Sequence, residues 1–409
     1  MKVYIKTFGC RVNQVESQAA LEEFKKQNYT PTQNAQEADL CLINTCSVTH
    51  KADRDAGKEI RKILRQNPKA RLIITGCYAA VAQAELAAKY PSAKIIQKTD
   101  LSMALFDKNI NWAVAEHEGK SRAFVKIQDG CDNYCAYCIV PYARGKKTSK
   151  PAPFALAEIT NLITSGYKEI VLTGINIGNY SCPLTGANLA ALLPEIFKIK
   201  GDFRIRFSSI EVNTVTPELV LAAAAGGEKF CNYFHIPLQS GAAPVLKSMK
   251  RRYTPQEYLD KLAFIRQNLP GAGIYADIIA GYPAETQADF EASVNFTDKA
   301  AFAGLHVFSY SARKGTPAAQ MPQLSAAEIK TRADILRQKD KELRAAFAKS
   351  LIGATQQFLA EEETKEGLSG VLGNFQRAII KPAGKAKTIS QVKITAAKAG
   401  LCCGEYSEI

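Results

Sequence analysis

Cys131, Cys135 and Cys138 lie in the segment Gly130-Cys131-Asp132-Asn133-Tyr134-Cys135-Ala136-Tyr137-Cys138, with three and then two residues between successive thiols. Three thiolates at this spacing can hold three irons of a cubane [4Fe–4S] cluster and leave the fourth iron open. Zinc sites usually need four ligands, and the common electron-transfer clusters take four cysteines. A tight loop with no fourth partner nearby therefore implies an exogenous ligand on the last iron.

A second set of three is dispersed. Cys10, Cys46 and Cys77 each follow an apolar, strand-like run, at 3–8, 39–44 and 71–74, and each precedes helix-forming sequence, at about 16–27, 53–67 and 81–89. Alternating strands and helices predict a parallel, doubly wound sheet. All three cysteines then sit at carboxyl ends of strands, where open α/β sheets gather their ligands. They again make an incomplete ligand set for a cubane cluster. Gly9 and Gly76 would let the backbone come close to it, and Cys41, inside the second strand, reads as an ordinary buried thiol.

From Ala123 onward the alternation resumes, with strands expected at 124–128, 169–173, 204–208, 233–237, 273–279 and 305–309 and helices between them. Six βα units make a partial (β/α)6 barrel of the TIM type, whose site belongs at the carboxyl ends of its strands. The Cys131 loop follows the first strand. A charged helix over 325–350 leads into short strand-like pieces at 355–359, 370–372, 377–380 and 391–395, which predict a small β-barrel. The expected fold class is α/β in three units: 1–113, the doubly wound parallel-sheet amino-terminal domain; 121–345, the partial barrel; and 350–409, the small carboxyl-terminal β-barrel.

The three-cysteine loop resembles that of the radical S-adenosylmethionine (SAM) enzymes. Thr7-Phe8-Gly9-Cys10-Arg11-Val12-Asn13-Gln14, Asn44-Thr45-Cys46-Ser47-Val48-Thr49, Thr75-Gly76-Cys77-Tyr78-Ala79 and Ile139-Val140-Pro141-Tyr142-Ala143-Arg144-Gly145 are similar to the radical-SAM methylthiotransferases, a match over about residues 1–345. This resemblance implies two [4Fe–4S] clusters and SAM as cofactors. At Cys131, Cys135 and Cys138 the open iron would chelate SAM, whose reductive cleavage releases a 5′-deoxyadenosyl radical. At Cys10, Cys46 and Cys77 the open iron would carry the sulfur to be transferred, and a second SAM would supply the methyl group. The resemblance also puts Tyr137 near the SAM adenine. Gly174 and Asn176 are expected at its methionyl group, Ser209 and Glu211 at the ribose hydroxyls, and Gln239 on the same rim. The tail stands where the family has an RNA-binding TRAM domain. The implied partners are tRNA, an electron donor such as flavodoxin or ferredoxin, and a sulfur donor.

Composition is in keeping with an anionic partner. The 409 residues carry a formal net charge of +14, spread along the chain, and an RNA backbone would be attracted to such a surface. Arg144, Lys147, Arg251, Arg313 and Arg377 are the cations expected to meet it. No stretch approaches the roughly 20 apolar residues of a spanning helix, and the opening Met1-Lys2-Val3-Tyr4 runs straight into a strand without a signal-peptide region. Eleven cysteines in such a chain read as metal ligands and buried thiols rather than a disulfide framework. The expectation is a cytoplasmic protein with no membrane partner.

Substrate choice separates the family's branches. Asn13-Gln14, Ser208-Ser209-Ile210-Glu211, His235-Ile236-Pro237-Leu238-Gln239-Ser240-Gly241 and Lys247-Ser248-Met249-Lys250-Arg251-Arg252-Tyr253 are most similar to the branch acting on threonylcarbamoyladenosine in tRNA. That implies methylthiolation at carbon 2 of the base at position 37, beside the anticodon. The alternatives are the isopentenyladenosine branch, the branch that modifies an aspartate of a ribosomal protein, and a non-catalytic iron–sulfur RNA-binding protein. His235, on a barrel strand, reads as structural.

Overall fold

The amino-terminal sheet takes five parallel strands, β1 Lys2–Thr7, β2 Thr30–Pro31, β3 Leu40–Thr45, β4 Arg71–Gly76 and β5 Lys94–Ile95, in the order β2-β1-β3-β4-β5. The fold is a computed structural model that describes residues 1–47, 49–106, 113–117, 120–382 and 384–407. Central β3 is buried at every position because helices cover both faces. Its Cys41 and Ile43 pack with Ile60 and Ile63 on one side, while Leu40 and Leu42 pack with Ala20 and Phe24 on the other. The first helix spans Arg11–Lys26, starting five residues before the expected 16, and the expected 81–89 helix is two, Cys77–Val81 and Gln83–Lys89. Gly76 at φ +94° turns β4 directly into helix, and Gly9 at φ +99° lies in the three-residue connection from β1 to its helix, a conformation other residues rarely reach.

Six parallel strands form the second unit. β6 Arg122–Lys126 is followed by a two-residue antiparallel pair, β7 Gln128–Asp129 with β8 Thr148–Ser149, that closes the base of the Cys131 loop. Then come β9 Glu169–Thr173, β10 Arg204–Phe207, β11 Tyr233–His235, β12 Gly273–Ala280 and β13 Gly304–Ser309. They make two half-sheets, β10-β9-β6 and β11-β12-β13, connected by isolated bridges at Ile205 with Phe230 and Ser209 with His235. No pairing joins β6 to β13 among the described residues, so the barrel is open there. The helix Arg11–Lys26 of the first unit packs against this region, setting Val15 and Ala19 against Phe124 and Val171.

The helix Ala326–Ser350 leads to a closed barrel of β14 Thr355–Thr364, β15 Gly367–Leu372, β16 Arg377–Lys381, β17 Ile389–Lys398 and β18 Leu401–Tyr406. The last strand was not expected. Its Cys402 is buried in the core of this barrel. Of the expected boundaries, 113 adjoins residues 107–112, and the tail's last two positions, 408–409, are also outside the described residues. Among the described residues no helix is long and apolar enough to cross a membrane.

The small barrel docks on the amino ends of the large barrel's strands. Fully buried Glu169 accepts from Arg204 at 2.8 Å and from Arg206 at 2.7 Å. The same guanidinium groups donate to the carbonyls of Gln357, Val371, Leu372 and Gly373 in the small barrel. Burial by itself would push Glu169 up, but the pull of Arg206 and Arg204 outweighs it and holds the carboxyl well below the usual range. Glu169→Gln leaves two buried cations without their counter-charge, a loss of about 3–5 kcal/mol. The expected outcome is a lower melting temperature and faster proteolysis of the 350–407 segment. Wild-type melting and wild-type protease resistance in this variant would show that the contact does not hold the two barrels together.

Candidate functional site

Three strand ends meet at the carboxyl edge of the first sheet, at the β1/β3 switch point where such sheets bind ligands. Cys10 is exposed at the start of its helix, while Cys46 and Cys77 are buried. The approach is close: a Cβ on Gly9 would come within 2.6 Å of Cys46 Sγ, and one on Gly76 would strike the Thr45 carbonyl oxygen. Asn13 stitches the edge together by donating to the carbonyls of Phe8 at 2.9 Å and Thr45 at 3.0 Å. Asn44 donates to the Asn13 carbonyl at 3.1 Å. Val48 of the second motif lies outside the described residues.

The Cys131 loop is held as firmly. Cys131 N–H donates to the Gly145 carbonyl at 3.1 Å and Ala136 N–H to that of Met249 at 3.0 Å. The short helix Val140–Arg144 after this loop packs against the short helix Cys77–Val81 after the third cysteine of the other set. The two sets are thereby brought together from separate folding units. Burial pushes the thiols of Cys77 and Cys131 up and that of Cys138 up to about 12, so metal loading must release protons. Among the described residues the only three His, Cys, Asp or Glu donors drawn within 4.8 Å of one another are His235, Asp277 and His306.

Charge clamps the two units around these loops. Arg144 is almost fully buried and donates to Asp129 at 2.8 Å, to Glu16 at 3.2 Å and to Asn13. Glu16 also pairs with Lys98 at 2.8 Å and Lys126 at 3.0 Å. Arg313 reaches back to Asp53 and to Ser47 Oγ at 3.0 Å. Arg251 is paired with Glu211 and sits 3.6 Å from Cys135 Sγ. Arg144, Arg251 and Arg313, expected on an RNA-facing surface, are thus buried in ion pairs beside the cysteine loops. Their carboxylate partners are distant in sequence, so no local pattern announces the burial. Lys147 stays exposed, 3.2 Å from Asp132, and half-exposed Arg377 on the small barrel pairs with Glu361.

The remaining site residues divide between two hollows. Cys135, Asn176, Glu211 and Arg251 wall a cleft of about 330 Å3. Asn176 Oδ1 accepts from the N–H groups of Gly178 and Glu211, but its buried Nδ2 has no partner. A free donor beside the Cys135 loop fits a ligand rich in oxygen acceptors, as SAM is. Gly174 stands behind, where a Cβ would come within 3.0 Å of Gln128. Tyr137 and Gln239 line a separate cavity of about 160 Å3 with Thr49, Asp277 and Tyr310. Ser209, expected at a ribose, turns its hydroxyl to His235 Nδ1 at 2.9 Å. His235 Nε2 in turn meets Asp277 Oδ1 at 2.7 Å, and His306 Nδ1 reaches the same oxygen at 3.1 Å. Asp277 and His306 escaped the sequence reading because neither lies in a recognisable motif; only the register of β12 with β13 sets them side by side.

Comparison with known proteins follows the same division. Residues 2–97 match the family described as Uncharacterized protein family UPF0004, and residues 125–297 match the Radical SAM superfamily. Threonylcarbamoyladenosine tRNA methylthiotransferase MtaB of Bacillus subtilis (strain 168) is 35% identical over 96% of this chain and 93% of its own length. The protein of the same name from Thermotoga maritima is 34% identical over 93% of this chain and 90% of its own. The tRNA-2-methylthio-N(6)-dimethylallyladenosine synthase of Thermodesulfovibrio yellowstonii is 33% identical over 96% and 92%. In fold, the chain is similar to the radical S-adenosylmethionine methyltransferase TsrM of Kitasatospora setae, with a TM-score of 0.56 at 13% identity over 78% of this chain and 77% of that one.

The clamp makes stability depend on pH. Burial alone would raise the Glu16 carboxyl, but Lys126, Arg144 and Lys98 outweigh it and bring it from 4.5 down to about 2. A carboxyl depressed by folding stabilises above its unfolded pKa and stops doing so as pH falls through the folded one. The contribution, on the order of 3 kcal/mol, is complete at neutral pH and lost between about 4.5 and 2. Glu16→Gln should therefore melt well below wild type at pH 7, with the gap closing toward pH 2. A gap independent of pH would mean that the carboxylate charge is not what stabilises the clamp.

Proposed function

This chain belongs to the radical-SAM methylthiotransferases, enzymes of [4Fe–4S] clusters and SAM, and from that premise we propose that it methylthiolates carbon 2 of N6-threonylcarbamoyladenosine at position 37 of tRNA. The observation that carries the reading is the meeting of two incomplete cysteine sets across the packed helices Cys77–Val81 and Val140–Arg144. The choice of base is supported by the 34–35% identity to relatives named for that nucleoside. The dimethylallyladenosine synthases, at 32–34%, make the alternative that the test must separate.

When bound, the cofactors supply a hydrogen-abstracting radical at one site and a transferable sulfur at the other. The protein's part is to hold, orient and exclude water. In this reading Cys131, Cys135 and Cys138 hold the SAM cluster, with Asn176 Nδ2 donating to SAM and the Glu211 carboxylate, fixed by Arg251, facing the same cleft. Tyr137 and Gln239 line the adjoining hollow. Cys10, Cys46 and Cys77 hold the sulfur-bearing cluster, and the exposure of Cys10 leaves that cluster open to a sulfur donor. Exposed Lys147, Lys250 and Arg252 are the cations that would draw the tRNA backbone to the cleft. The reductant is an electron donor of the flavodoxin or ferredoxin kind, and the place of work is the cytoplasm.

Two outcomes test this. Cys135→Ala should abolish reductive SAM cleavage, whereas Cys46→Ala should keep cleavage and lose methylthiolation, as read by deoxyadenosine and product assays with iron content measured alongside. Normal product from Cys46→Ala would remove the sulfur-handling role. In cells lacking the gene, mass spectrometry of tRNA nucleosides should show plain threonylcarbamoyladenosine accumulating in place of its methylthio form. Loss of methylthio-isopentenyladenosine instead would assign the sibling base, and an unchanged profile would point to a protein substrate.

A further inference from the structure

The inside of the large barrel is polar, and one of its charges has no counterpart. Ala123 and Val125 of β6 pack outward under the barrel helices, so Phe124 between them faces inward. Arg11, the first residue of the helix after Cys10, lays its guanidinium 5.9 Å from the Phe124 ring centre. Arg11 is partly buried; the more deeply buried arginines, Arg144, Arg204, Arg206, Arg251, Arg313 and Arg332, each hold a carboxylate. Arg11 holds none among the described residues. Burial pulls its pKa down; Tyr233, Arg122, Arg206 and Glu169 act on it, Lys120 lies over the same Phe124 ring at 4.8 Å, and Glu169 is already saturated by its two arginines. A desolvated cation without a partner is costly to keep, unless an anion meets it during function.

The opposite wall is complementary. Asp277 faces the cavity shared with Tyr137 and Thr49 and takes hydrogen bonds from His235 and His306. Phe234 of β11 and Ile274, Ala276 and Ile278 of β12 pack outward, so Tyr233 and Asp277 face the same barrel interior as Phe124, and Tyr233 lies within electrostatic reach of both Arg11 and Asp277. An apolar chain placed here would desolvate the Arg11 cation without pairing it.

We propose that Arg11 receives a carboxylate borne by the N6 substituent of the substrate base, with Asp277 accepting from N–H groups of the same substituent. The lumen then suits an amino-acid carbamoyl group and opposes a prenyl chain. Guanidinium and carboxylate match as a two-bond fork. The assignment rests on the functional reading above and adds the residue that selects the branch.

The test compares two anticodon stem-loop RNAs, one carrying threonylcarbamoyladenosine and one carrying its methyl ester, which keeps the shape and removes the charge. Wild type should favour the acid in kcat/KM by about tenfold to a hundredfold, the worth of one charged hydrogen-bonded contact, and equilibrium binding of the two RNAs should show the same preference. In Arg11→Met the ratio should fall to near one, and Arg11→Lys should retain part of it. Each ratio is taken on one preparation, so partial cluster loss cancels from it. Equal use of acid and ester by wild type, or an undiminished ratio in Arg11→Met, overturns the assignment while leaving the threonylcarbamoyl reading intact. Activity on isopentenyladenosine RNA with none on either carbamoyl RNA overturns the functional reading and this assignment with it.

Discussion

The ion cluster of Glu16 and Asp129 with Lys98, Lys126 and Arg144 is the interaction on which the arrangement depends. It joins the first helix of one unit to the first strand and cysteine loop of another. Two cysteine sets contributed by separate folding units need a fixed relative position, and apolar packing tolerates small slips. Buried charges do not, since a displaced one is left uncompensated at a cost of several kcal/mol. Arg144 also falls within electrostatic reach of both Cys10 and Cys77, so the residue that sets the register borders the chemistry.

The same device recurs at the other end of the barrel. Glu169, Arg204 and Arg206 close the floor and, through carbonyls of the small barrel, hold that domain against it. Phe375 is part of this seam, 4.8 Å from the Tyr233 ring, and Phe358 is in the small barrel's core. Tyr406 packs against that core as well, so all three aromatics described in this domain serve packing, and its exposed surface is chiefly polar and charged. The cysteine loops and the small barrel consequently occupy opposite ends of the large one.

Between those ends the lumen carries charge where a barrel of this size would ordinarily be filled with branched apolar side chains. The helix Arg11–Lys26 crosses from the cluster edge of the first sheet into this space, so one element carries Cys10 at its start, Arg11 toward the lumen, Glu16 in the clamp and Val15 in the packing. A strand-end thiol, a lumen-facing cation and the inter-unit clamp thus follow one another along two helical turns.

Much of this was legible in the sequence. Cysteines after apolar runs placed both sets at strand ends, β9 has the bounds its apolar run indicates, and short strand-like pieces foretold the small barrel. The helix starts beside Cys10 and Cys77 were not, because glycines at positive φ let strand pass into helix with no turn signature. The arginines were misread for a related reason. A basic residue near a loop looks like surface until its partner is known, and Glu16 lies 128 residues from Arg144. Asp277 and His306 came together only through strand register. The sequence by itself determined which thiols are candidate ligands and their order at the strand ends, since thiol spacing and strand ends are local properties. Which charges are buried, and what they face, was decided by tertiary structure, because desolvation and pairing depend on neighbours that the chain brings together only on folding.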